Sequence, residues 1–376
     1  MLNLEIFFKE LYLIVSFPPE NCVFAAQKNY LCKRMASRVI MKETLSSIAE
    51  RTGFSVTTIS RVLSGNAEKH RISKSTRDKV LEEARRCHYK PSVVAQSLRT
   101  NRSKIVGLLL PGVANPYFAE MAQVAISEFK KYGYTTIIID TMEEESTMVE
   151  DVLSLVSRQA EGILVVPCGT DSSLLEDLDA NNVPVVLIDR FYKDSKLSDV
   201  TTNNYQGGLE ATRYLISNGH TRIACIKGVQ SSIPGQERVK GFLDAMNEYG
   251  FPTEGMIVGN EYSISCGYME TKLLLDRDRQ PTAIFALGNT IAMGALKAIR
   301  EHGLKIPDDI SLITFDNNVY LDFIDPVITR VSQPVDTMTS LAVKILVEKI
   351  NSTFSGFSQL RLSPAMIIGE SVRDVH

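Results

Sequence analysis

Two hydrophobic patterns divide the chain. Between Lys42 and Tyr89 apolar residues recur three and four positions apart, the spacing of one helix face, whereas after Ile105 they come in short unbroken runs. In "TLSSIAERTG", Thr44 is a candidate N-cap, Leu45, Ile48 and Ala49 share a face, and Gly53 stops the helix. Ser55 caps a second helix whose inner face is Val56 or Thr58 together with Ile59, Val62 and Leu63. A third helix starts near Ser73 or Ser75 in "SKSTRDKVLEEARRCHY" and turns Val80, Leu81, Ala84 and Tyr89 inward. Three short helices with a glycine turn between the first two predict a helix-turn-helix domain over residues 42–90.

The stretch "KPSVVAQSLRTNRSK" predicts a linker over residues 91–104. Pro91 breaks the preceding helix, and Ser92 can cap one or two further turns bearing Val93, Val94, Ala95 and Leu98. A helix so short and apolar is not stable alone in water, so it requires a partner.

From Ile105 onward, "IVGLLLP", "TTIIID", "GILVVP", "PVVLID", "RIACIKG", "AIFALG" and "SLITFD" are each followed by an amphipathic helical stretch. Apolar runs without polar alternation read as parallel strands covered on both faces, hence an α/β class built as doubly wound sheets. The order suggests two such lobes with a break near Thr201 to Tyr205. Ligands of open α/β sheets bind beyond the carboxyl ends of the strands, which directs attention to the residues just after each run.

Length and composition narrow the class. A chain of 376 residues makes two or three compact units, and 44% hydrophobic with 23% charged residues is ordinary for a soluble globular protein. No apolar run reaches the roughly 18–20 residues that span a bilayer. The six cysteines are scattered without a CxxC pair, which fits a reducing cytoplasm and gives no zinc or disulfide framework; Cys168, Cys225 and Cys266 read as small buried residues. Neither metal nor cofactor is expected. The net charge of -3 conceals a division: residues 42–104 carry 14 Lys/Arg against 6 Asp/Glu, and residues 105–376 carry 22 against 35. A basic head on an acidic body implies a polyanion-binding module joined to something that is not one. No HExxH, GxSxG, Walker-type or GxGxxG match occurs and the five histidines are scattered, so no enzyme chemistry is assigned; His220 in "NGHTRI" reads as structural.

The basic segment, the linker and the α/β segment together resemble the LacI/GalR family of bacterial transcriptional regulators, with the purine repressors close in pattern. The resemblance is carried by "TLSSIAERTGFSVTTISRVLSG", "RISKSTRDKVLEEARRCHYKPSVVAQSLR", "GLLLPGVANPYFAEM", "VVLIDR", "LISNGHTRIACI", "RVKGFLDAM", "PTAIFALGNTIAMGALKAIREHGLKIPDDISLITFDN" and "DPVITRVSQP", and spans about residues 42–370 in the family's own order. It implies a homodimer, or a tetramer, that binds near-palindromic double-stranded operator DNA, with a core like periplasmic binding proteins that closes around a small-molecule effector. By position, Val56, Thr57 and Arg61 would read bases, and Thr44, Ser55, Thr58 and Ser60 would contact phosphate. The chemistry suits those roles: Arg61 can bond a guanine edge with two donors, Val56 can meet a thymine methyl, and hydroxyls at a helix N-terminus suit phosphate oxygens. The linker would become a hinge helix on DNA, with Leu98 and Ala95 at the positions that wedge into the minor groove.

For the effector, the resemblance selects Asn115, Tyr117, Phe118, Arg190, Arg238, Tyr262, Asn289 and Asp316; Arg238 and Asp316 would grip polar groups while Tyr117, Phe118 and Tyr262 supply flat surfaces. Phe118 reads equally as ordinary packing. The implied core divides into an N-lobe of about 105–201 and 332–358 and a C-lobe of about 203–330 and 360–376. Several positions depart from the family pattern: the longer loop "GNAEKHRIS", Gln96 for a frequent arginine, Gly112 for a common aspartate, Asn203 in an Asn-Asn pair, and Asn289 for an aspartate. These leave the effector open between a sugar or sugar derivative, the favoured reading, and a nucleobase. A solute-binding protein for transport would share the core but would need a secretory signal and no basic head. Residues 1–41 fit none of this; "LEIFFKELYLIVSFPP" lacks a basic start and a small-residue cleavage site, and translation is expected to begin near Met35 or Met41. Mass spectrometry of the native N-terminus checks that expectation, and finding Met1 or Leu2 there would contradict it.

Overall fold

The computed structural model describes residues 43–87, 89 and 102–376, in a chain whose internal contacts separate two units, 1–96 and 97–376. In the first unit, α1 (Leu45–Thr52), α2 (Val56–Leu63) and α3 (Lys74–Arg86) enclose a small core of Ile48, Ile59, Val62, Ala67, Val80 and Ala84. Thr44 closes a capping box with Ser47, and Gly53 ends α1 at φ 73°, the left-handed conformation that costs glycine least. Ser55 and Ser73 cap the next two helices. Arg51 ties α1 to α3 through Glu83 at 3.5 Å. Val56, one of two candidates for the inner face of α2, lies outward with 44% of its surface exposed, and Thr58, the other, is half-buried at the start of the helix.

The second unit holds two six-stranded sheets. The first has the order β11-β5-β4-β3-β1-β2, with β1 (Ile105–Leu110), β2 (Thr135–Asp140), β3 (Gly162–Val165), β4 (Val185–Ile188), β5 (Ser198–Thr202) and β11 (Gln359–Leu362), all parallel. It is covered by α4 (Pro116–Lys131), α5 (Glu145–Ser157), α6 (Ser173–Ala180) and α11 (Val335–Ile350). The second has the order β12-β10-β9-β8-β6-β7, with β6 (Ile223–Ile226), β7 (Ile257–Val258), β8 (Ala283–Ala286), β9 (Ser311–Phe315), β10 (Thr329–Ser332) and β12 (Ala365–Ile367); only β12 is antiparallel. Its helices are α7 (Asn204–Ser217), α8 (Ile233–Glu248), α9 (Ile264–Leu275) and α10 (Asn289–Glu301). The chain passes between the sheets three times, after β5, β10 and β11. Two passages are tied together by the Asn203 amide, which donates to the Leu362 carbonyl at 2.7 Å.

Both lobes bury their central strands on two faces, and each fully buried Leu, Ile or Phe contributes about 1.5–3 kcal/mol of transfer free energy. The last division expected between the lobes needs correcting: residues 359–362 pair with β5 and so belong to the N-lobe sheet, and the chain leaves it at Ser363 and Pro364. Pro364, lacking an amide donor, separates β11 from β12. Cys168, Cys225 and Cys266 are free thiols buried in the cores, and His220 is buried with Nδ1 2.9 Å from Thr282 Oγ1. No helix among the described residues is long and apolar enough to cross a membrane.

Glycines set how closely the C-lobe helices approach. A Cβ on Gly241 of α8 would lie 2.3 Å from the Tyr205 carbonyl oxygen and 2.6 Å from the Leu209 amide of α7, backbone atoms that cannot give way. Helix propensity alone would make Gly241→Ala stabilising by roughly 0.5–1 kcal/mol. The clash outweighs it, and a net destabilisation of about 1–3 kcal/mol is expected, read from the chemical-denaturation midpoint of the core.

Candidate nucleic-acid and effector sites

Helix α2 presents two unlike faces. Ile59 and Val62 point into the head's core, while Val56, Thr57 and Arg61 are exposed and Ser60 is partly so. Thr57 and Arg61, four positions apart, are neighbours on the outer surface. Among the described residues Arg61 makes no ion pair, whereas Arg51 and Arg86 are engaged by Glu43 and Glu83. Ser55 Oγ accepts from the Thr58 amide at 3.1 Å and lies 2.9 Å from Thr58 Oγ1. One hydroxyl donates to the other, leaving one hydroxyl hydrogen for an outside acceptor. Thr44 Oγ1 accepts from the Ser47 amide at 3.2 Å and keeps its own hydrogen. The α2 N-terminus adds the positive end of the helix dipole. Ala95 and Leu98 lie outside the described residues.

In the second unit the residues following the strands form a cleft of about 110 Å³, whose lining includes Asn115, Tyr117, Phe118, Glu143, Asp189, Arg190, Arg238, Tyr262, Asp316 and Gln333. Two aspartates occupy matching places in the two lobes. Asp189 follows β4 at φ 65° and Asp316 follows β9 at φ 76°. Left-handed backbone at a non-glycine residue costs on the order of 1–3 kcal/mol and collects at binding sites. Each turn presents a buried carboxylate to the cleft: Asp189 accepts from the Tyr117 hydroxyl at 2.6 Å, and Asp316 accepts from Gln333 Nε2 at 2.7 Å and from the Asn289 amide at 3.3 Å.

The two arginines are held differently. Both terminal nitrogens of Arg190 donate to the Glu143 carboxylate, the second at 2.9 Å, and its Nε is 4.0 Å from Asp189. Arg238 is 4% exposed; Nε donates to Asn204 Oδ1 and Nη1 to the Leu287 carbonyl, both at 2.8 Å, and the guanidinium stacks 3.7 Å from the Phe315 ring centre. Among the described residues it makes no ion pair. A buried cation without a counter-charge is costly, and a ligand that supplies electron-rich oxygens relieves that cost. Tyr262 lies across Gly228, Gly235 and Gly288; a Cβ on Gly228 would meet its ring at 2.3 Å, so glycine clears the space the ring fills.

Burial sets the protonation of the wall. It raises the Asp189 carboxyl above the usual range, against the pull of Arg190, and raises the Tyr117 hydroxyl well above its own, with Asp189 and Asp316 adding to the effect. Tyr117 therefore stays a neutral donor. For Arg190 burial works toward deprotonation, but the Glu143 pair outweighs it and the guanidinium stays charged.

Seven of the eight effector candidates from the sequence line this cleft. The eighth, Asn289, is fully buried behind the wall, where its Nδ2 donates to Asn115 Oδ1 at 3.3 Å and to Asn318, linking the two lobes. Phe118 both lines the cleft and packs in the N-lobe core. Glu143, Asp189 and Gln333 went unmarked in the sequence. Asp189 had a signal, as the polar end of the apolar run before Arg190; Glu143 sits within "MEEES", which reads as a solvated helix start.

The comparisons agree with this arrangement. Residues 44–92 match the family profile of bacterial regulatory proteins, lacI family, and residues 103–357 match that of periplasmic binding proteins and the sugar binding domain of the LacI family. The HTH-type transcriptional repressor PurR of Edwardsiella ictaluri is 32% identical over 334 residues, spanning 88% of this chain and 97% of that one. A structure of the transcriptional regulator CelR with cellobiose is 25% identical with a TM-score of 0.67, over 88% of this chain and 99% of that one. A LacI-family transcriptional regulator of Enterococcus faecium with bound ribose is 25% identical with a TM-score of 0.66, over 72% of this chain and 100% of that one. The chain belongs to the LacI family: it is a DNA-binding transcriptional repressor with an effector-binding domain, and not an enzyme.

Removing the hydrogen bond at the base of the cleft isolates its worth. Tyr117→Phe leaves Asp189 buried with one donor fewer, which is expected to destabilise the core by about 1–3 kcal/mol, measured as a lower denaturation midpoint, and to push the Asp189 carboxyl higher still.

Proposed function

We propose that the protein, as a homodimer in the bacterial cytoplasm, represses transcription from a near-palindromic operator and responds to a sugar or sugar derivative bound between its two lobes. The domain plan is a DNA-binding head over 42–90, a hinge over 91–104 and an effector-binding core over 105–376. Within the head, Arg61, Thr57 and Val56 read base edges from α2 in the major groove, and Thr44, Ser55, Thr58 and Ser60 contact phosphate. Leu98 and Ala95 wedge into the minor groove from the hinge and kink the duplex. The exposed outer face of α2 supports the first assignment, and family position alone supports the hinge.

The observation that carries the effector reading is the cleft itself. Tyr117, Phe118 and Tyr262 offer aromatic surfaces beside Arg190, Arg238, Asp316 and Asn115, a set suited to a hydroxylated ring; Asn289 acts from behind by holding Asn115. The cellobiose and ribose complexes of the two structural relatives favour a carbohydrate. Ligand closes the lobes, which changes the spacing of the hinges and hence the affinity for operator. Homodimer formation has support in Val319 and Phe323, on a short 3-10 turn, which are 74% and 83% exposed although apolar.

Arg61→Ala is expected to weaken operator binding by about 1–3 kcal/mol with little change on random DNA, measured by competition binding at fixed salt. Unchanged selectivity would contradict the assignment. Phe323→Asp is expected to shift the protein toward monomer in sedimentation velocity. A thermal-shift screen of sugars, sugar phosphates and nucleobases tests the effector class, because a ligand of the folded core raises its melting temperature by mass action. Stabilisation by a nucleobase alone would favour a purine effector instead.

A further inference from the structure

The cleft wall holds more carboxyl groups than guanidiniums. Its lining residues include three carboxylates, Glu143, Asp189 and Asp316, against two guanidiniums, Arg190 and Arg238, and no lysine or histidine. Arg190 is also spoken for, since both terminal nitrogens face the Glu143 carboxylate. That carboxylate is placed deliberately by the backbone: Met142 and Glu143 both take left-handed conformations, at φ 55° and 61°, just after β2. Arg238 alone remains without a carboxylate, and two of its nitrogens already donate within the protein.

Some of the helix-start amides near the cleft are already engaged: Asn115 Oδ1 accepts the Tyr117 amide at 3.1 Å, and Pro116 has no amide hydrogen. At α8, Ser232 Oγ takes the Gly235 amide at 3.4 Å and Pro234 has none to give. At α10 the Asn289 amide is already turned to the Asp316 carboxylate. A phosphate bound at helix starts needs those donors free.

We propose that Glu143 makes this cleft selective for an uncharged, hydroxyl-rich ligand over its phosphorylated or carboxylated counterparts. The proposal rests on the cleft being the effector site. Glu143 neutralises the one guanidinium that could present a two-pronged fork to a phosphate, while Asp189 and Asp316 accept hydroxyl hydrogens and repel an anion. An anionic ligand would have to displace Glu143 from Arg190 and leave that carboxylate without its partner.

Isothermal titration calorimetry of the full-length protein with matched pairs tests it: ribose and ribose 5-phosphate, glucose and glucose 6-phosphate, inosine and inosine 5′-monophosphate, with hypoxanthine as a free-base probe beside them. The neutral member of the best-binding pair is expected to bind at least about 10-fold more tightly than its phosphate, the size of effect one lost charge-paired contact produces. Glu143→Gln is expected to narrow or reverse that ratio. Equal or tighter binding of the phosphate by the unaltered protein, no binding by any neutral member, or an unchanged ratio in a folded Glu143→Gln protein would overturn it. Preference for hypoxanthine over both sugars, with neutral still favoured over phosphate, would overturn the carbohydrate reading and leave the charge selectivity supported.

Discussion

A buried guanidinium that makes no ion pair among the described residues is the constraint on which the core turns. Arg238 is fixed by Asn204 at the start of α7, by the carbonyl ending β8 and by the ring of Phe315 at the end of β9, so three C-lobe elements meet at one cation. Desolvating that cation is unfavourable, and its direct contacts offset it with neutral oxygens and a ring face, with Asp189 close enough to feel its charge. The cleft above it must therefore stay polar and accessible. The two strained aspartates, matched across the lobes, provide that polarity at the carboxyl ends of both sheets.

Three chain passages join the lobes, and among the described residues the side-chain links across them at the cleft include the Asn115 and Asn289 pair at 3.3 Å, a neutral contact worth about 1 kcal/mol, and Gln333 Nε2 donating to Asp316 at 2.7 Å. An ion pair in place of the asparagine pair would hold the lobes in one relation more firmly.

Much of the fold was legible because burial on two faces forces apolar runs: every run identified after Ile105 is a strand. The strands that escaped notice fail that rule for physical reasons. In β5, Ser198, Asp199, Thr201 and Thr202 are buried yet polar, and the first three find partners remote in sequence: the Ser358 amide, Arg361 and the Asp189 carbonyl. Nothing local signals such partners. β11, with alternating exposure at the sheet edge, likewise escaped notice, which displaced one lobe boundary. The site divides the same way. Arg238, Tyr262 and Asp316 were legible from family position, while Glu143 was hidden in an acidic run and acquires its meaning only from Arg190, 47 residues away.

The central claim is that ligand in the cleft and operator on the head are energetically coupled through one chain. Coupling is reciprocal, so a single thermodynamic square tests it: operator affinity with and without the stabilising ligand, and ligand affinity with and without operator, by fluorescence anisotropy and calorimetry at fixed salt. The account requires the two factors to be equal and different from one, typically about 5- to 150-fold. Operator affinity that is unchanged by saturating ligand would contradict it.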